Sequence, residues 1–357
     1  MQKFPIDEKH FKSKKLLSKG TLDFVMFKIF DEKINGLLFV IIFPFLLFFM
    51  SYYGFESSYV RWKYLEKAPD FIFTSVYAYR IIPNYLSVHV TNVVTYMVDN
   101  HLSFIKGFLL KSGTLFYHST FLINSFFFLL SSVVLDAVLR LKPVELLLNT
   151  NVRRLVHLLG IFFLVIVQYV PTNCDSIAVF FYLWGVWFTL KYLQDRKPAD
   201  LISLSIVIFI STFVRETACL NIAFFGSIFI DLKELKKKNF ASVKEVLFLV
   251  MAYALPYTFL RTVIPQQASF FEGIYLVKNF TSPYNLAGLL FGGISLYFTC
   301  TLANAESRAI IGKYLFFSLP YLVMITVVGL FWETRLFIPL ILTGIVVASY
   351  QFKKYYA

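Results

Sequence analysis

The sequence predicts an all-α protein, a polytopic transmembrane helical bundle of about ten crossings. Hydrophobic residues make up 58% of the 357 residues and charged residues only 15%, whereas soluble domains are about one-quarter charged. Several apolar runs also reach the roughly 20 residues that a helix needs to cross a hydrocarbon core. The central run, 201–230, is longer than one crossing requires, and its only charges are Arg215 and Glu216.

These two charges divide the central run. A charged pair in the middle of a spanning helix would cost several kcal/mol. The run is therefore predicted to form two short crossings that meet at Arg215 and Glu216, in a polar turn at one membrane face.

The remaining elements follow in chain order. Residues 1–34 hold eight lysines among phenylalanines and leucines, which is typical of a cytoplasmic amphipathic segment on an anionic leaflet. Residues 35–357 are predicted to be a single transmembrane domain. Its predicted crossings are 36–53, 114–139, 155–170, 177–192, 201–214, 217–231, 246–264, 285–303, 314–331 and 336–352.

Two long loops, 54–113 and 265–284, are predicted on the outer side. Within the first, 81–98 has no Lys, Arg, Asp or Glu and could itself cross the membrane. A crossing there would break the alternation of sides, and Asn84 and His89 are awkward on a lipid-facing helix. We therefore expect an interfacial helical segment.

The distribution of basic residues predicts the orientation. With alternating crossings, 24 of the 34 Lys and Arg residues fall on the side that holds both termini. Basic residues favour the cytoplasmic side, so both termini are predicted to be cytoplasmic. The net charge of +13 is then explained by topology, and nucleic acid is not an expected partner.

Acids and arginines gather on the predicted outer face, where they mark a candidate site. Ionisable groups at membrane depth are costly and are therefore functional candidates. Arginine binds phosphate through a planar fork, and a carboxylate in a partly dry site can act as a general base. The set consists of Glu56, Asp70, Arg80, Asp175, Arg215, Glu216, Arg261, Glu333 and Arg335.

Structural interpretations of the same residues stay open. Arg215 with Glu216, and Glu333 with Arg335, could be pairs that join helix ends. Asp175 could be a helix N-cap, and Arg80 could be an interfacial residue that extends toward water.

Metal and cysteine chemistry is not indicated. The five histidines show no metal-ligand spacing, and the three cysteines share no disulfide or metal spacing. No cofactor is predicted and no metal ligand is assigned, although the use of a divalent metal stays open.

Four short elements carry a resemblance to a known family. Tyr79-Arg-Ile-Ile-Pro83, Asn173-Cys-Asp175, Arg215-Glu-Thr217 and Glu333-Thr-Arg335 occur in this order along the chain. Together they resemble elements of bacterial polytopic proteins related to GT-C-type glycosyltransferases.

The resemblance implies an inverting transferase in a bacterial inner membrane, with its active site on the outer face. The donor would be a polyprenyl-phosphate-linked sugar, and the acceptor a glycan, a lipid or a protein. The family's catalytic acid in the first outer loop corresponds to Glu56, with Asp70 as second choice. Arg80 would bind the phosphate, assisted by Arg215, Arg261 or Arg335. A polysaccharide polymerase or ligase, a transporter or flippase of lipid-linked sugars, and an assembly partner in a larger membrane complex are the competing hypotheses.

Overall fold

The computed structural model describes residues 33–54, 60–74, 76–168, 172–231, 243–264 and 273–352. These residues form fifteen α-helices joined by loops and 3-10 turns. The amphipathic segment predicted at 1–34 falls almost entirely outside the described residues, and so do residues 265–272 of the predicted loop 265–284.

The helices are numbered in chain order. They are α1 Ile34–Gly54, α2 Phe71–Thr74, α3 Ile81–Asn100, α4 Ser103–Ser112, α5 Leu115–Leu139, α6 Thr150–Gln168, α7 Asp175–Asp195, α8 Pro198–Thr212, α9 Cys219–Phe229, α10 Val243–Val263, α11 Leu276–Thr281, α12 Pro283–Leu302, α13 Ala305–Phe317, α14 Leu319–Val328 and α15 Ile338–Ser349.

The all-α membrane class is confirmed, but ten full crossings are not. Six helices in the described part of the chain are long and apolar enough to span a membrane: α1, α5, α6, α7, α10 and α12. The bent pair α13 and α14 makes a seventh if it counts as one span. Every predicted crossing does coincide with helix, but four of them are too short or too bent to count as a straight span.

The short and bent helices have local causes. Helices α8 and α9 are separated at Arg215, whose extended backbone (φ −163°, ψ 151°) interrupts the helical path. Helices α13 and α14 are bent by 53°, and Pro320 lies in the first turn of α14. Proline has no N–H to continue the hydrogen-bond ladder of the preceding helix, so a bend at this point is expected.

Helix α7 forms the centre of the bundle. Of the six candidate spans it is the most enclosed, with 78% of its apolar window buried, and it packs against α5 and α8. By contrast, only 17% of the window in α10 and 22% in α12 is buried. Their large exposed side chains therefore suit contact with lipid. Helix α3, the predicted interfacial segment, packs along α5 and is not a candidate span; its depth in the membrane stays a prediction.

The bundle has a polar node at each end, and α6 connects them. Near its first turn, Arg154 Nη1 lies 2.8 Å from Asp136 Oδ1, and Arg140 Nη2 lies 2.8 Å from Asp136 Oδ2. At the other end of α6, Gln168 lines a cavity that also touches Asp175. We refer to the two ends as the Asp136 end and the Asp175 end. The Asp136 node was not predicted from the sequence.

Two contacts fix the turn that leads into α15, which carries part of the site. Buried Asn279 donates to the carbonyls of Thr326 and Gly329 and accepts from Phe331 N. On α12, Gly288 lies so close to this turn that an added Cβ would collide with the Phe331 carbonyl.

We therefore expect Gly288→Ala to destabilise the protein by a few kcal/mol, since overpacking against backbone cannot be relieved by a rotamer change. Gly293→Ala is the matched control on the same helix, because a Cβ there meets nothing within 4 Å. Thermal unfolding in detergent micelles measures both variants. Equal unfolding midpoints for the two variants would show that a Cβ at position 288 does not collide with this turn.

Candidate functional site

Six of the predicted site residues come together at the Asp175 end. They come from four separate parts of the chain and supply three carboxylates and three arginines. The arginines and carboxylates form two neighbouring groups of ion pairs: Arg80 with Glu216, and Asp175 with Arg215, Arg335 and Glu333. We call this set the arginine–carboxylate cluster; it consists of Arg80, Asp175, Arg215, Glu216, Glu333 and Arg335.

Asp175 lies at the centre of the cluster. Its Oδ1 is 2.6 Å from Arg215 Nη1 and its Oδ2 is 2.8 Å from Arg335 Nη1. The same Oδ2 accepts hydrogen bonds from the backbone N and the hydroxyl of Thr172, both at 2.8 Å. Asp175 is 2% exposed. Both oxygens of this buried carboxylate are therefore occupied by cationic or hydrogen-bonding groups.

The capping alternative for Asp175 is wrong. Cys174 occupies the N-cap position of α7, and Asp175 is the first helical residue. Its side chain accepts from Thr172, which precedes the helix, and not from the free N–H groups of the first turn. An acid in the first turn still interacts favourably with the helix dipole.

A second ion pair extends the cluster from Arg335. Arg335 Nη2 lies 2.9 Å and Nε 3.3 Å from Glu333 Oε2. Because Nη1 reaches Asp175 at the same time, the planar guanidinium bridges two carboxylates. The pair lies in the turn before α15 and links the last part of the chain to α7.

Arg80 has longer polar contacts than the other two arginines, and its guanidinium lies 4.6 Å from the centre of the Tyr77 ring. Its Nη1 donates to Cys174 Sγ at 3.3 Å, and its Nη2 lies 3.5 Å from Glu216 Oε2. Its Nε is buried and has no hydrogen-bond partner among the described residues. A thiol is a weak acceptor, so Arg80 retains unused capacity to bind an anion.

Backbone and amide contacts hold these elements in register. Ile82 N donates to Phe213 O at 3.2 Å, which joins the start of α3 to the turn that carries Arg215. Asn173 Nδ2 donates to Asn84 Oδ1 at 2.9 Å, and Asn84 in turn donates to the carbonyls of Ile72 and Tyr77. Asn84, awkward for a lipid-facing helix, is buried within the protein.

The remaining predicted site residues lie outside this set. The guanidinium of Arg261 stacks 3.8 Å from the centre of the Tyr79 ring and thus borders the cluster through the neighbour of Arg80. Asp70 is exposed and, among the described residues, forms no salt bridge with the cluster. Glu56 lies outside the residues that the structure describes.

The charges of the cluster balance before any ligand binds. Burial lowers the pKa of Arg215, but the attraction of Asp175 outweighs burial, so the pKa of this guanidinium lies above its ordinary value. Three arginines against three carboxylates leave no net charge, which explains how so many ionised groups can lie largely out of water.

A narrow cavity lies beside Asp175, beneath the cluster. It offers water-sized molecules about 20 Å³, room for roughly one water. Its wall includes Gln168, Tyr182 and Tyr321 besides Asp175, Arg215 and Arg335. Below it, the Tyr182 hydroxyl is hydrogen-bonded to the hydroxyls of Tyr314 and Thr343, so polar contacts continue into the apolar core.

Sequence reasoning missed Thr172, Gln168 and Tyr182. Neutral polar residues inside or next to apolar helices give no charge signal, so nothing in the sequence separates them from packing residues.

In the part of the chain that the structure describes, no group of three or more His, Cys, Asp or Glu side chains could hold a metal ion. No family model, curated protein or solved structure matches this chain.

The central position of Asp175 predicts a large effect on stability. Asp175→Asn would leave Arg215 and Arg335 buried without their shared counter-charge, and breaking a buried pair costs about 3–5 kcal/mol. We expect the thermal midpoint in detergent to fall by several degrees or more. Asp195→Asn is the control, because Asp195 and Lys197 form an exposed pair at the other end of α7. Loss of this pair should leave the thermal midpoint unchanged. Matching midpoints for the two variants would contradict a structural role for Asp175.

Proposed function

We propose that this protein is a membrane glycosyltransferase that moves a sugar, with inversion, from a polyprenyl-phosphate donor to an acceptor at the non-cytoplasmic face. The observation that carries the proposal is the convergence of three arginines and three carboxylates at one end of a bundle of apolar helices. Arginine recognises phosphate oxygens, and the surrounding apolar helix surfaces suit a prenyl tail. The four sequence elements that resemble GT-C-type enzymes support the same class.

Arg80 is the phosphate ligand in this proposal. Arg215 and Arg335 each donate a hydrogen bond from Nη1 to Asp175, at 2.6 and 2.8 Å. Arg80 instead has one thiol contact, one long ion pair with Glu216, a cation–π contact with Tyr77 and a buried Nε without a described partner. A phosphate oxygen at Arg80 would satisfy these donors with the short, charge-assisted bonds that guanidinium groups favour.

Glu216 is the carboxylate within the cluster best placed to act as a base. Both oxygens of Asp175 are occupied, whereas Glu216 has its one described salt bridge at 3.5 Å and its side chain is 22% exposed. In the proposed reaction the base takes the proton of an acceptor hydroxyl as that oxygen attacks the anomeric carbon. The bond from this carbon to the lipid phosphate breaks, and its electron pair leaves with the phosphate. Glu56 and Asp70 stay the alternatives that the resemblance implies.

The proposed orientation follows from the basic residues. If the termini and the more basic loops are cytoplasmic, the Asp175 end faces the other side of a bacterial inner membrane. The acceptor would then be a glycan, lipid or protein of the cell envelope, reached by residues of loops 54–113 and 265–284.

One observation favours a different class, a transporter or flippase of lipid-linked sugars. The hydroxyls of Tyr182, Tyr314 and Thr343 extend polar contacts from the cavity into the core. Polar groups near the middle of the bundle are usual in transporters. The charged groups nevertheless concentrate at the two ends, which is why we favour the transferase.

The decisive experiment measures sugar transfer directly. The purified protein in nanodiscs is given a panel of prenyl-phosphate-linked hexoses and pentoses with radiolabelled sugars and a cell-envelope acceptor fraction. We expect transfer from at least one donor, and Arg80→Ala should lower kcat/KM about a hundredfold through the loss of phosphate stabilisation. Lys197→Ala, which removes an exposed pair with Asp195 at the far end of α7, is the control with unchanged activity. Movement of intact lipid-linked sugar across liposomes without transfer would favour the flippase.

A second variant locates the base. Glu216→Gln keeps the shape of the side chain but cannot take a proton, so kcat should fall by about 10²–10⁴ with little change in KM. Glu333→Gln, which alters the other carboxylate that pairs with an arginine, should act mainly on stability. If Glu216→Gln retained full activity while Glu56→Gln lost it, the base would lie in the first outer loop.

A further inference from the structure

Gln168 carries an unsatisfied acceptor into the cavity beneath the cluster. It is the last residue of α6 and is 2% exposed. Its Oε1 is buried and has no hydrogen-bond partner in the described structure. Leaving a buried carbonyl unsatisfied costs free energy, so such a group in a native fold calls for water or a ligand.

Most of the other polar side chains around this cavity have described partners. Tyr182 bonds to Tyr314 and Thr343, and the Tyr321 hydroxyl donates to Leu336 O at 2.8 Å. All three guanidinium nitrogens of Arg335 contact Asp175 or Glu333, whereas Arg215 pairs with Asp175 through Nη1 and has two further nitrogens. The wall of the cavity therefore contains a neutral acceptor, Gln168 Oε1, and a cationic donor, the guanidinium of Arg215.

A hydroxyl group matches this combination. It can donate its proton to Gln168 Oε1 and accept from a guanidinium, whereas an ionised phosphate oxygen has no proton to donate. The 20 Å³ available suits one hydroxyl in the place of one water. Gln168 can thus distinguish the sugar of a lipid-linked donor from its phosphate.

We propose that Gln168 is a specificity-determining residue that binds a hydroxyl of the transferred sugar, while Arg80 binds the phosphate. This inference rests on the proposed function, since it names the part of the same donor that Gln168 binds. The two halves of the donor are recognised by separate side chains: the cavity beside Asp175 receives the sugar hydroxyl, and the cluster above it receives the phosphate.

The experiment compares two probes on wild-type protein, Gln168→Met and Arg80→Ala. The probes are decaprenyl phosphate and the same lipid carrying one hexose or pentose, taken from the panel as the sugar that wild type binds most tightly. Affinities are measured by native mass spectrometry in detergent, and thermal midpoints are recorded without lipid. Methionine nearly matches glutamine in shape but lacks the carbonyl acceptor.

We expect Gln168→Met to weaken binding of the sugar-bearing lipid about tenfold, the loss of one hydrogen bond, and to leave decaprenyl phosphate unchanged. Arg80→Ala should weaken both probes. The lipid-free midpoint of Gln168→Met should stay the same or rise, because the substitution removes an unsatisfied group. A purely structural glutamine would lower it.

Three results would overturn the assignment of Gln168. They are equal weakening of both probes by Gln168→Met, a marked fall in its midpoint, and a wild type that prefers no sugar-bearing lipid over decaprenyl phosphate. A wild type that binds neither probe would contradict the proposed function itself, together with this inference. Loss of sugar preference in Gln168→Met with Arg80→Ala unchanged would retain Gln168 and exclude Arg80 as the phosphate ligand.

Discussion

One carboxylate, that of Asp175, ties together the end of the bundle on which the site depends. It binds Arg215, 40 residues away, and Arg335, 160 residues away, while Thr172 fills its remaining acceptor positions. Between helices in a membrane the hydrophobic effect contributes little, because lipid tails are as apolar as the helix surfaces. Polar contacts of this kind therefore carry much of the specificity that fixes how the helix ends meet.

At the opposite end of the bundle, a second carboxylate also pairs with two arginines. Asp136 receives Arg140 and Arg154, and thereby joins the end of α5 to the start of α6. Between the two nodes, close packing does the rest. Gly288 and Asn279 let the turn before α15 lie directly against α12 and α11. The helices that carry the cluster are thus joined at their ends by ion pairs and along their faces by close packing.

Charge balance explains how the cluster can be stable, and its contacts differ in length. Asp175 is fully engaged and serves as a fixed anchor, whereas the contact between Arg80 and Glu216 is the longest in the cluster at 3.5 Å. In the proposed function, an incoming phosphate would compete for Arg80 there without disturbing the anchor. Tightly bound and loosely bound groups within one network allow a site to be preorganised and still accept an anion.

The sequence by itself determined the membrane class and the helical architecture, because composition and apolar run length follow from the cost of placing a chain in hydrocarbon. It also singled out Asp175, Arg215 and Arg335, since a charge next to an apolar run is costly enough to be conspicuous. Only the tertiary structure decided which charges pair, because pairing depends on where helix ends meet. It also decided the six or seven candidate spans, through the break at Arg215 and the bend before Pro320. Gln168 was likewise identified only from the structure, because the sequence does not show that its amide oxygen is buried without a hydrogen-bond partner.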